Sequence, residues 1–117
     1  MAETELQAIV RFRFHAGAVD EFKRLSTRCM EIVRAKDTGT LQYDTYFNDD
    51  ETECIVLERF RDSDALIEHS ENLAHLMDAI IATGSVSGEL LGTPSESLRA
   101  RFASDGPVQL FEPWLKL

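Results

Sequence analysis

Two residues between Ile55 and Ile81 are out of keeping with their neighbours. Glu58 interrupts the apolar run Ile55-Val56-Leu57, and His69 falls on the apolar side of a helical pattern. An imidazole titrates near neutral pH and can take a proton from a weakly acidic hydroxyl. A carboxylate beside it can orient the ring and raise its basicity, as the acidic member of a dyad does. The alternative is structural: His69 as a core histidine bonded to a strand, with Glu58 as its partner or as a helix cap. In either case the two side chains are expected to meet, because the Arg61-Asp62-Ser63 junction reverses the chain between them. His75 does not join them. Six residues beyond His69 is ~240° around a helix, so His75 points into the acidic face with Glu68, Glu71 and Asp78.

The elements that must hold this pair follow from periodicity. Leu6 to Phe14 alternates, with Leu6, Ala8, Val10, Phe12 and Phe14 on one face and Gln7, Ile9, Arg11 and Arg13 on the other, which predicts a strand. From about Ala18 the period becomes helical, with Phe22, Leu25, Cys29, Ile32 and Val33 in one stripe and Gly39 as a left-handed stop. Thr40 to Asn48 alternates again, placing Leu41, Tyr43, Thr45 and Phe47 together. Glu53 to Phe60 returns as the second arm of a hairpin. Asp62 or Ser63 caps a helix to about Ala82, with Leu66, His69, Leu73, Leu76 and Ile80 inward. Ser85 to Leu91 suits a fourth strand. Thr93-Pro94-Ser95-Glu96 reads as a capping box with Thr93 at the N-cap, starting a short helix. Val108 to Leu117 is an extended arm in which Pro113 marks an edge or an irregular strand.

The order β-α-β-β-α-β predicts an α+β, ferredoxin-like domain spanning 1–117, with a core at 6–91 and a C-terminal extension at 93–117. Two helices would cover one face of a four-stranded antiparallel sheet. The other face, carrying Ile9, would be left wet in a monomer, so a homodimer packed sheet to sheet is expected.

Composition narrows the function classes. With 12 basic and 21 acidic residues the net charge is -9, which repels nucleic-acid phosphates and anionic lipid. No apolar run reaches the length of a membrane span, and Met1 to Glu5 lacks the basic and apolar regions of a signal peptide. Cys29 and Cys54 have no CxxC partners and read as reduced thiols, so a cytoplasmic protein is expected. No clustered zinc-type ligands and no glycine-rich phosphate loop are present, so neither a metal nor a nucleotide cofactor is expected.

Three motifs in order resemble the antibiotic biosynthesis monooxygenase superfamily of dimeric α+β barrels. Gly39-Thr40-Leu41-Gln42-Tyr43-Asp44-Thr45-Tyr46 is similar to that family's Gly-x-Leu-x-Tyr-x-x-Tyr strand. Leu57-Glu58-Arg59-Phe60 is similar to its Glu-x-Trp strand end, with Phe60 in place of Trp. Asp64-Ala65-Leu66-Ile67-Glu68-His69 is similar to its acidic-Ala-Leu-x-x-His helix start. The resemblance covers roughly Leu6 to Leu91 and implies a ligand pocket between helices and sheet. Val10, Phe12, Tyr43, Phe60 and Leu73 would bind the ligand, and Glu58 and His69 would act on it. It further implies a cofactor-independent monooxygenase acting on a small aromatic or quinol with dioxygen. A non-catalytic ligand-binding or stress-response dimer and a small-molecule isomerase remain open alternatives. Haem degradation is not expected, because the family positions that serve it fall at Val10, His69 and Ala79.

Overall fold

The computed structural model describes residues 4–102 and 105–117. Met1 to Glu3, part of the stretch read for a signal peptide, lie outside the described residues. The elements are β1 (Leu6–Phe14), α1 (Val19–Lys36), β2 (Thr40–Phe47), β3 (Glu53–Phe60), α2 (Ser63–Ile81), β4 (Gly84–Leu91), α3 (Glu96–Arg99) and β5 (Val108–Phe111). The strand order is β2-β3-β1-β4-β5. The first four strands pair antiparallel, as a ferredoxin-like order requires, and β5 adds to β4 in parallel. The expected four-stranded sheet is therefore a five-stranded mixed one. The arm from Val108 becomes a strand because Gly88 to Leu91 of β4 offer it a free edge.

The alternation of β1 sets which face is buried. Leu6, Ala8 and Phe12 point to the helices, opposite Phe60, Glu58 and Cys54 of β3 and Leu91-side neighbours Leu90 and Val86 of β4. The α1 stripe buries all five residues read from its period: Phe22, Leu25, Cys29, Ile32 and Val33. On α2 the buried residues are Ala65, Leu66, His69, Leu73 and Ile80, while His75 is exposed.

The core divides into two clusters. One gathers Leu6, Ala8, Phe60, Ala65, Leu66 and Leu90 beneath Leu98 of α3. The other gathers Phe12, Phe22, Cys29, Val56, Leu73 and Ile80, with Val10, Tyr43 and Met77 at its margin.

Three local expectations change. β2 carries an irregularity between Thr40 and Gln42, so Leu41 is thrown out of the alternation and lies exposed, while Tyr43 faces the helices opposite Glu58. A bulge of this kind inserts one unpaired residue and resets the faces beyond it. Gly39 is not a left-handed stop; the positive-φ glycines are Gly17 and Gly92. Glycine is needed at 39 for space, since a Cβ there would stand 2.5 Å from the Ala65 Cβ. The α3 cap is Ser95 rather than Thr93: its hydroxyl accepts from the Leu98 N–H at 3.2 Å. Ser95's own N–H is meanwhile bound to Ser63 Oγ at 2.9 Å, which ties the start of α3 to the start of α2. On the outer sheet face, Arg11 pairs with Glu89 and Arg13 with Glu53.

Candidate functional site

The site is assembled where the loop after α1 lies down on α2. Gly39 permits the close approach, and its carbonyl accepts from the Arg61 N–H at 2.9 Å. Thr38 N–H donates to Glu68 Oε1 at 2.7 Å, fastening the loop to the first turns of α2. Asp37, the first residue past α1, is thereby carried onto the next turn of α2, where it meets both His69 and Asn72. Asp62 caps α2 by accepting from the Ala65 N–H at 2.9 Å, which fixes where the helix starts and hence where His69 points.

His69 sits between two carboxylates. Nδ1 is 2.7 Å from Asp37 Oδ2, and Nε2 is 3.8 Å from Glu58 Oε1. The first distance is a charge-assisted hydrogen bond and the second is longer than one. The side chains are 8% exposed for His69, 1% for Asp37 and 15% for Glu58. Tyr43 meets the imidazole edge-on with centroids 5.1 Å apart, and Phe60 tilts against it at 5.0 Å. The two acids lie on opposite nitrogens of the ring, so they cannot close around one cation. Among the described residues no group of three or more His, Cys, Asp or Glu is placed to hold a metal.

The acids have opposite electrostatics. Burial raises Glu58's pKa from the ordinary 4.5 to about 7, and the negative charge of Asp37 adds to the shift. Burial also opposes ionisation of Asp37. Hydrogen bonds from Thr40, Asn72 and His69 outweigh it and hold that carboxyl below its ordinary value. Burial also pushes up the Tyr43 hydroxyl and the Cys29 thiol.

Glu58 and His69 open onto a cavity of about 330 Å³ between the sheet and both helices. Val10, Phe12, Val56, Leu73 and Val86 wall it, and Tyr43 lines the same end as the acid–imidazole pair. Small side chains at Ser26, Cys29 and Ser70 stand on the helix side where larger ones would fill the space. Among the described residues, no Lys or Arg lines it. Of the residues expected to line a pocket, Val10, Phe12, Tyr43, Glu58, His69 and Leu73 do so. Phe60 is instead fully buried in the closed cluster beneath α3, tilted against the His69 ring without lining the cavity. Asp37 has no signature in the sequence pattern. It lies in a loop, where periodicity carries no information, and its only signal was an acid just beyond the basic end of α1.

This architecture has relatives. The model of the antibiotic biosynthesis monooxygenase family matches residues 6–79. The chain belongs to this family. The structure of MupZ from Pseudomonas fluorescens superposes with a TM-score of 0.83 at 25% identity, covering 98% of this chain and 89% of that one. The coverage takes in the C-terminal extension. Rv0793 from Mycobacterium tuberculosis matches with a TM-score of 0.67 at 25% identity over 80% of this chain and 98% of its own. SnoaB from Streptomyces nogalater, a cofactor-independent oxygenase, shares the fold with a TM-score of 0.66 at 17% identity over 79% and 95% of the two chains. A search of curated proteins finds no match.

Proposed function

We propose that this antibiotic biosynthesis monooxygenase family member is a cofactor-independent monooxygenase acting on a small, uncharged aromatic hydroxyl compound of quinol type. The observation that carries the reading is the buried Glu58–His69 pair opening onto an apolar cavity that no cation lines. A hydroxyl oxygen placed about 2.8 Å from both Glu58 Oε1 and His69 Nε2 would complete a triangle with them, at ordinary hydrogen-bond length. The pair takes that hydroxyl's proton, and negative charge spreads into the ring. The adjacent ring carbon then bonds to dioxygen, and the pair returns the proton to the peroxide. Loss of the ring C–H proton with O–O cleavage leaves a carbonyl and water. For 1,4-dihydroxynaphthalene the balance is one substrate and one dioxygen to one 2-hydroxy-1,4-naphthoquinone and one water. The apolar lining favours charge transfer to dioxygen where the bound ring displaces water from around the anion.

The lining also weighs against the alternatives. An open cavity beside His69 disfavours a self-filled, non-catalytic core, and the lack of Lys or Arg disfavours an isomerase that must hold an oxoacid carboxylate.

The assembly we propose is a homodimer packed through the outer sheet face. Tyr46, Ile55 and Phe111 are exposed on that face, and Trp114 on the arm is 90% exposed. The face's charges are internally paired, Arg11 with Glu89, Arg13 with Glu53 and Arg59 with Glu5, so a second copy of an acidic chain can approach it. Light scattering should give a mass near twice 13.2 kDa. The two buried free thiols and the lack of any described helix long and apolar enough to cross a membrane suit a cytoplasmic protein.

The test is dioxygen uptake with 1,4-dihydroxynaphthalene, using ¹⁸O₂ and scoring labelled 2-hydroxy-1,4-naphthoquinone. Plain autoxidation gives unlabelled 1,4-naphthoquinone instead. His69→Gln should lower the labelled product by roughly 10²–10⁴-fold while leaving the dimer mass unchanged. Equal labelled product from wild type and variant would remove His69 from the chemistry.

A further inference from the structure

Asp37 makes more contacts than a loop residue needs. Oδ2 accepts from Thr40 Oγ1 at 2.7 Å and faces His69 Nδ1 at 2.7 Å, while Oδ1 accepts from Asn72 Nδ2 at 2.8 Å. Three donors, from β2, from α2 and from the imidazole, converge on a carboxylate with almost no solvent contact. An ionised carboxylate only accepts hydrogen bonds. Nδ1 must therefore carry a hydrogen, and in the neutral ring Nε2 must present its lone pair. That lone pair faces Glu58 at the cavity wall.

Among the described residues, the surroundings of the ring supply no competing hydrogen-bond partner. Toward it stand Asp37 from the loop, Glu58 and Phe60 from β3 and Tyr43 from β2, with Asn72 of its own helix reaching Asp37. No cation is among them.

We infer that Asp37 is the positioning residue of the site, fixing His69 as the Nδ1–H tautomer so that the Nε2 lone pair and the Glu58 carboxyl, 3.8 Å apart, both face a single ligand hydroxyl at the cavity wall. Asp37 also stabilises the imidazolium when the proton is on Nε2, so the pair serves first as base and then as acid. The inference rests on the reading of Glu58 and His69 as a proton-transfer pair.

The network dictates what Asp37→Asn does. Asn72 still donates to the position of Oδ1, so the new amide keeps its carbonyl there. Its NH₂ then replaces Oδ2 and points at Nδ1. The imidazole must accept at Nδ1 and carry its hydrogen on Nε2, the reverse of the wild type.

The experiment is ¹⁵N–¹H correlation spectroscopy of the imidazoles, with the His69 signals assigned by their loss in His69→Gln. Wild type should show His69 as the Nδ1–H tautomer at neutral pH, and Asp37→Asn should show Nε2–H. Turnover of 1,4-dihydroxynaphthalene should fall by roughly 10²–10⁴-fold with little change in KM, as for a wrong tautomer in a hydrolytic triad. Thr40→Val, which removes a donor to Asp37 without facing the ring, should leave the tautomer unchanged. A wild-type His69 found as Nε2–H overturns the inference, and this measurement stands even where Asp37→Asn does not fold. A wild type that forms no labelled product but shows the Nδ1–H tautomer, switched in Asp37→Asn, removes the oxygenase reading and keeps Asp37 as the residue that sets the ring.

Discussion

The two halves of the helix–sheet interface are built from the same layers and do opposite things. At one end Leu6, Phe60, Leu90 and Leu98 are essentially free of solvent contact, and α3 closes over them. At the other, Phe12, Val56, Leu73 and Ile80 surround an open volume. β3 crosses from one to the other in a single pleat step. Phe60 fills the closed half, and Glu58, two residues earlier on the same face, looks into the cavity. His69 stands at the boundary, one ring side on Phe60 and one nitrogen toward Glu58. Close packing gives the site a rigid wall, and the unfilled half gives it room for a ligand.

The contrast can be broken with mutations of matched chemistry. The largest effect on stability should come from Phe60→Ala, about 3–5 kcal/mol, because the fully packed half cannot collapse around the void. Urea denaturation measures it, and a cost below that of Val86→Ala on the cavity wall would contradict the division. Val86→Ala itself should cost about 1 kcal/mol, since the side chain is only partly buried and borders empty volume.

The acid at the cavity gives the next effect. Folded Glu58 keeps its proton to about pH 7, whereas the ordinary glutamate releases it at 4.5. Between those values the native state binds more proton than the unfolded chain, so stability should fall as pH rises and stay low above pH 7. The loss is roughly 3 kcal/mol by the usual conversion of a pKa difference. Glu58→Gln should flatten this part of the profile, and an unchanged slope in the variant would assign it elsewhere. Asp37 works the other way. Its lowered pKa contributes stability that is full above its unfolded value and is lost as pH falls through the folded one.

Enlarging side chains should separate the halves by a smaller margin. Ala65→Leu should cost about 1–3 kcal/mol, because the Ala65 Cβ already leaves no space for a Cβ at Gly39. Ser26→Leu, at a partly buried position on the cavity wall, should cost less, under about 1 kcal/mol. Its signature should be lost binding of 1,4-dihydroxynaphthalene, read by fluorescence titration. Equal costs for the two would mean that the cavity half is as tightly packed as the other.

The same contrast explains what could be read from the chain. Strong periodicity carried the layers, so the α1 stripe from Phe22 to Val33 and the inward setting of His69 follow from spacing alone. Glu58 was legible because a carboxylate in an apolar strand is out of pattern. Asp37 was not, because its role depends on a glycine-permitted approach between residues 32 positions apart. The Leu41 bulge and the parallel pairing of β5 were hidden for a similar reason. Both are decided by a neighbouring strand rather than by local alternation. Phe60 shows the limit of reading faces. It shares Glu58's face, yet whether it borders a cavity depends on Leu98, a residue of the extension.

The most direct test of the site is a crystal structure of the protein soaked with 1,4-dihydroxynaphthalene. The ring should lie between Val10, Leu73 and Val86, with one hydroxyl oxygen about 2.6–3.2 Å from Glu58 or His69 Nε2. A cavity that excludes the compound, or one that holds it with both hydroxyls turned away from that pair, would contradict this placement.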